Sequence, residues 1–367
     1  MPKPSVRAGT LSPVSRRQIL RSFAAAGLIL ATVRGCARAA GQASYFTWGG
    51  YDDRRLLLSY IRRHAAPPDL AAFDDTEDAL RRLRAGFVAD VVHPCGGDLP
   101  AWRQAGLLQP IDTARLSNWD HVFPRLKALP GARGDGRQWF APVEWGQTSI
   151  TYRTDLVDLR GDAESWGILW DARYRGRIAM AGAAEEAWWC AAIYAGIDRG
   201  ELSEQNLATV RTLLLEQRPL VKTYTSDLTS VEQALASGEL VVAVTSNDSA
   251  IRLKDLGVPV RFADPKEGAL TWCCGAILHK HAPRPDKAHD LIDSLLSVAA
   301  GAHIVDRFAY AHANAKTFER VGAARLRTLS LPERPAETLG RAVFMAPRDP
   351  ALDRRISRDW REILAGS

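Results

Sequence analysis

The residues best suited to chemistry in this chain lie between Pro142 and Arg177. They read Pro142-Val143-Glu144-Trp145-Gly146-Gln147-Thr148, then a strand, then Ser165-Trp166-Gly167-Ile168-Leu169-Trp170 and Tyr174-Arg175-Gly176-Arg177. Indoles beside glycine turns build surfaces that hold a small molecule, and they supply no reacting group. Motifs for turnover are missing. There is no H-E-x-x-H, no G-x-S-x-G, no P-loop and no dinucleotide fingerprint. The eight histidines are scattered, and His279 and His281 beside Lys280 read as a surface turn. Vicinal Cys273-Cys274 lacks the C-x-x-C spacing of a zinc or redox site. No cofactor and no metal are expected, and binding is favoured over catalysis.

Residues 1–40 carry Lys3, Arg7, Arg16, Arg17, Arg21, Arg34 and Arg38 and no acid. Ser15-Arg16-Arg17-Gln18-Ile19-Leu20 precedes an apolar run, Ser22–Val33. This pattern predicts a signal peptide for the twin-arginine route, cleaved near Ala39–Ala40. The run is too short for a spanning helix, which needs roughly 20 apolar residues. Lipid attachment at Cys36 is the lesser alternative, because Arg34 is out of place in a lipobox. The chain totals +6, and the leader's cations leave a net charge of −1 on the rest. A nucleic-acid partner therefore loses its support, since that binding needs a basic folded surface.

The roughly 325 residues after the leader can bury a large core and divide into two lobes. Four cysteines follow Cys36. One disulfide is expected in an oxidising compartment, from Cys95 to Cys273 or Cys274, with buried free thiols an equal alternative. Ala43–Trp48 reads as a strand, 54–63 and 76–83 as helices, and 88–93 as a second strand. A further strand over 148–153 opens another α/β pattern. Its parts are strands at 176–180, 240–245, 260–263 and 270–278, with helices at 185–196, 205–216, 289–298 and 302–308. A last helix is expected near 356–364. In parallel sheets ligands sit at the carboxyl ends of strands, so Trp48-Gly49-Gly50-Tyr51 and Pro94-Cys95-Gly96-Gly97 should face one crevice. Trp166 and Trp170, one helical turn apart, read as core.

Six segments in order carry a resemblance. They are Phe46-Thr47-Trp48-Gly49-Gly50-Tyr51, Asp90-Val91-Val92-His93-Pro94, Leu107-Leu108-Gln109-Pro110-Ile111-Asp112, the Pro142 and Trp166 stretches, and Pro265-Lys266-Glu267-Gly268 leading to Trp272. Together the chain resembles the periplasmic polyamine (spermidine/putrescine)-binding family of ABC importers. The resemblance implies an α/β, two-lobed, type II (Venus-flytrap) periplasmic binding protein with two crossover hinge strands. The implied lobes are 41–146 plus 273–320, and 147–272 plus 321–367. Hinges are expected near 144–149 and 268–273.

That family holds amines with aromatic faces, worth about 0.5–2 kcal/mol each, and with carboxylates in charge-assisted bonds. By resemblance Trp48, Tyr51, Trp272 and Tyr310 are its aromatics, and Ser226, Asp227 and Glu186 reach the cleft. Ser246 replaces an expected tryptophan, Cys274 an expected aspartate, Ala183 an aspartate and Gly50 an acid. Cys95 also falls at the cleft, although Cys95 and Cys274 read first as structural. Glu144 compensates if it points inward. The thinned acid set favours a mono-amine, quaternary or amino-acid-like ligand over spermidine. The expected partners are a small amine and the permease subunits of an inner-membrane ABC importer, with the protein a monomer in the periplasm. The alternatives are an anion or ferric-ion binder of the same fold, an exported enzyme, and a sensor subunit without a transport role. Ferric sites of this fold use paired tyrosines, and no adjacent Tyr pair exists here.

Overall fold

A computed structural model of the chain describes residues 41–73, 76–159, 164–197, 203–344 and 350–366. The expected leader, its paired arginines, Cys36 and the cleavage site lie outside the described residues. Among the described residues no helix is long and apolar enough to cross a membrane.

One sheet organises the chain. Its principal path runs Asp69–Phe73, Ser44–Trp48, Val91–Val92, Leu270–His279, Ala141–Arg153, Val242–Ser246, Ile178–Ala181 and Val221–Thr225. The first three strands pair in parallel, and so do the last three. Between them Leu270–His279 and Ala141–Arg153 run antiparallel to each other and to their outer neighbours. Buried parallel strands read as continuous apolar runs, and Ile178-Ala179-Met180-Ala181 is buried at every position.

The buried side chains sort into two main clusters. The first holds Tyr45, Phe46, Trp102, Phe140 and Trp145, together with Cys273, Ile277 and Leu291. The second holds Ile150, Trp166, Trp188, Val242 and Leu270, and a smaller third holds Ala179, Leu235 and Leu253. The long strand Ala141–Arg153 therefore leaves the first cluster at Trp145 and enters the second at Ile150. Leu270–His279 makes the return crossing between Leu270 and Cys273. These are the two crossover strands expected from the sequence. Trp166 is fully buried, and Trp170 is half-buried and stacks on Tyr194.

Several boundaries moved for physical reasons. Two strands, Asp69–Phe73 and Val221–Thr225, escaped the sequence reading. Both are outer strands of the sheet path and half-exposed; Val221–Thr225 shows no apolar run, and the run at 70–73 is only four residues long. The helices Leu228–Ser237 and Asn247–Asp255 were missed as well. Ser297 caps the Ala300 N–H and starts the helix Val298–Phe308 four residues earlier than expected. The segment after 320 also packs differently. Leu326, Leu329, Leu331, Leu339 and Ala342 join the first cluster, and only Ile356, Trp360 and Ile363 of the last helix, Pro350–Ala365, join the second.

Trp166 ties the crossover to the second cluster, since its indole N–H donates to Gly268 O at 2.8 Å. Trp166→Ala should cost about 3–5 kcal/mol in urea unfolding. A loss under 1 kcal/mol would show that the indole does not hold this junction.

Candidate functional site

Alternate residues of a strand share one face, which puts Glu144, Gly146 and Thr148 of the first crossover strand on the same side. Trp272 stands opposite Gly146 in the antiparallel register, and Cys274 opposite Glu144. A Cβ at position 146 would lie 2.3 Å from Trp272 Cζ2, so glycine alone lets the indole lie across the strand. Trp272 meets Tyr310 edge-on at 4.8 Å. Tyr310 stacks with Phe308 at 5.8 Å, and Phe308 with Tyr51 at 5.0 Å. Ala309 adopts φ 55°, the left-handed turn that ends the helix and seats Phe308 and Tyr310 together. The result is an aromatic row, Trp272–Tyr310–Phe308–Tyr51. Phe308 was not among the predicted site residues, since it reads as the last turn of a helix. Trp48 stands outside the row, with its ring on Phe73 at 4.6 Å.

Glu144 is buried beneath Tyr51. The Tyr51 hydroxyl donates to Glu144 Oε1 at 2.8 Å, and His93 Nε2 lies 3.0 Å from the same oxygen without hydrogen-bond alignment. Tyr45 Oη is 2.6 Å from His93 Nδ1, and Thr47 Oγ1 is 3.3 Å from it. Burial, and then the Glu144 charge, raise the Tyr51 pKa well above its usual value, so the hydroxyl stays a donor. Glu144 thus anchors the aromatic row from below.

The other acids divide by their partners. Asp227 caps the helix Leu228–Ser237, accepting from Thr229 N, Ser230 N and the Ser230 hydroxyl. Those hydrogen bonds, the Ser230 side chain's first, hold its pKa below the usual range. Asp227 and Ser226 are both exposed. The Ser246 hydroxyl donates to Asp248, which also pairs with Arg252 at 2.7 Å. Burial and then the charge of Asp248, an acid not predicted from the sequence, raise the Tyr310 pKa. Glu186 differs from these. It sits in the first turn of the helix Ala184–Tyr194 and receives a hydrogen bond from Thr148, yet burial pushes its pKa up. No cation is recorded as its partner among the described residues. Of the indoles beyond it, Trp188 and Trp189 are both buried packing.

Cys95 and Cys274 form a disulfide, while Cys273 and Cys190 are buried free thiols. Of the two pairings the sequence left open, the bond goes to Cys274. Cys95, one end of the bridge, lines an open cavity of about 620 Å³, solvent at its mouth included, which Gly96, Leu129, Glu185, Trp272 and Phe344 also line. Glu185 and Phe344 were not among the predicted site residues. Leu129, Cys273 and Phe344 of the cavity wall belong to or pack on the first cluster, and Thr271 and Trp272 lie on the return crossover strand. Glu185 lies on the helix Ala184–Tyr194, whose apolar residues belong to the second cluster.

Residues 99–326 match the bacterial extracellular solute-binding protein family, and the chain belongs to that family. PotF, the putrescine-binding periplasmic protein of Escherichia coli K12, is 25% identical over 339 residues, covering 88% of this chain and 90% of PotF. The putrescine/agmatine-binding protein of Pseudomonas aeruginosa is 27% identical over 321 residues, covering 81% of this chain and 85% of that protein. Among solved structures, PotD, the spermidine/putrescine ABC transporter substrate-binding protein of Streptococcus pneumoniae, superposes with a TM-score of 0.78 at 18% identity. It covers 89% of this chain and 99% of that one. This likeness shows the two-lobed type II fold expected from the sequence.

Gly146→Ala drives a methyl into the Trp272 indole. It should destabilise the fold by about 1–3 kcal/mol, the usual cost of overpacking. Unchanged stability in urea would mean that Trp272 does not lie across the strand.

Proposed function

We propose that this protein is the periplasmic substrate-binding component of an ABC importer and holds a small cationic or zwitterionic amine between its lobes. One observation carries the reading. A row of four aromatic rings starts at Trp272, laid across Gly146, and Glu186, a carboxyl whose pKa is raised by burial, bonds Thr148 two residues further along the same strand face. An ammonium docking there gains cation–π attraction and a charge-assisted bond, both strengthened as closure excludes water. The names of the curated relatives, which specify putrescine and agmatine, support the same ligand class.

The ligand proposed is a mono-amine or an amino-acid-like molecule. Asp227 is committed to a helix end, Asp248 to Arg252 and Glu144 to Tyr51. The acids at the start of the helix Ala184–Tyr194 serve one end of a ligand, whose carbon chain follows the rings. The lobes we propose are 41–146 plus 273–344, and 147–272 plus the last helix. They close by bending of the two crossover strands and present the closed form to the permease. Export by the twin-arginine route and a monomeric state complete this reading.

Calorimetric titration with putrescine, spermidine, agmatine, 4-aminobutyrate and glycine betaine tests it. At least one mono-amine or zwitterion should bind more tightly than spermidine. Glu186→Gln should weaken it at least tenfold, about 1.4 kcal/mol. Affinity should also fall as pH drops through the raised Glu186 pKa, because the protonated acid no longer attracts an ammonium. That pH step should vanish in Glu186→Gln. Saturable binding by none of the five, or equal affinity in the variant, would overturn the reading.

A further inference from the structure

The Cys95–Cys274 bridge joins points 179 residues apart in the chain. One end lies in the turn Pro94–Asp98, which follows the strand Val91–Val92. The other lies on the return crossover strand, where its register shifts between Cys274 and Gly275. Backbone pairing of Cys95 with Cys274 also holds the start of this turn, and Gly96–Asp98 form a short 3-10 segment in which the Asp98 N–H donates to Cys95 O at 3.2 Å. The Gly275 N–H donates to Pro94 O at 3.1 Å, and Asp98 accepts the Thr76 hydroxyl at 2.8 Å. Its middle residues are Gly96 and Gly97, with the widest backbone freedom of any residue type once unfastened. A Cβ on Gly96 would stand 3.2 Å from Cys273 O, so the turn lies close against the strand. Both Cys95 and the two glycines line the cavity, beside Trp272.

We propose that this bridge is a redox-controlled wall of the ligand site. Intact, it fixes the Gly96–Gly97 turn against the strand that carries Trp272. Reduced, it frees the turn and weakens ligand binding. The reductant is an external dithiol. One of its thiolates attacks a bridge sulfur to give a mixed disulfide and releases the other cysteine. The reductant's second thiol then displaces the remaining protein sulfur. Two electrons and two protons pass to the protein, leaving two thiols there and a cyclic disulfide on the reductant. Cys95 is half-buried on the cavity wall and Cys274 is buried, so attack comes from the cavity side. Cys273 does not take the bond over. It is buried, its S–H donates to Cys274 O at 3.8 Å, and burial raises its pKa, so it stays a thiol. A molecule in the cavity covers the bridge, and binding and reduction therefore oppose each other reciprocally.

The inference rests on the amine reading only for its probe. Amide hydrogen exchange without ligand, before and after dithiothreitol, should show the Asp98 and Gly275 amides, which donate to Cys95 O and Pro94 O across the turn, exchanging at least tenfold faster once reduced. Unchanged exchange there overturns the proposal whether or not amines bind. With putrescine as probe, reduction should weaken binding at least tenfold in the native protein. It should have no further effect on Cys95→Ser/Cys274→Ser, whose cooperative melting reports that it is folded. Equal putrescine affinity before and after reduction overturns the proposal. If putrescine fails to bind the oxidised protein, the exchange result alone decides on the bridge.

Discussion

The antiparallel pairing of Ala141–Arg153 with Leu270–His279 is the constraint on which the rest depends. These strands are shared by both hydrophobic clusters, so each cluster must form around the same two-strand ribbon. A ribbon two strands wide bends more readily than the packed halves it joins, because its central residues have neighbours on fewer sides. The same ribbon positions the candidate ligand groups. Register sets Trp272 opposite Gly146, and the missing side chain at 146 turns that pairing into a platform.

Partnership separates the acids that serve the fold from Glu186, the acid proposed to meet the ligand. Asp227 accepts from a helix start, and its pKa falls because those donors favour the charged form. Glu186 is half-buried with a hydrogen bond from Thr148, and its pKa still rises because desolvation outweighs that one donor. A raised carboxyl is a cost to the empty protein that an incoming ammonium relieves, as expected of perturbed groups at binding sites. Glu144 takes a third role. It is shut beneath Tyr51 and His93, where it fixes a ring that could otherwise turn. Its distance from a ligand matters less than what it holds.

The same residues show what could be read early and what could not. Buried strands such as Ile178–Ala181 and the indole Trp166 were legible, because apolar runs are local properties of the chain, whereas the two crossovers were implied by the family resemblance. The outer strands Asp69–Phe73 and Val221–Thr225 were not, since an exposed edge is held by its neighbour's backbone rather than by its own side chains.

By itself the sequence determined the class of fold, the order of its elements and the surplus of aromatics for one crevice. Tertiary structure alone decided which partner each polar group keeps. It chose Cys274 over Cys273 for the bridge, brought Phe308 into the aromatic row, paired Asp248 with Arg252 and committed Glu144 to Tyr51. The physical reason is range. Hydrophobic patterning acts through neighbours three or four residues away, whereas a disulfide, a ring stack or a buried hydrogen bond is fixed only when segments distant in the chain meet.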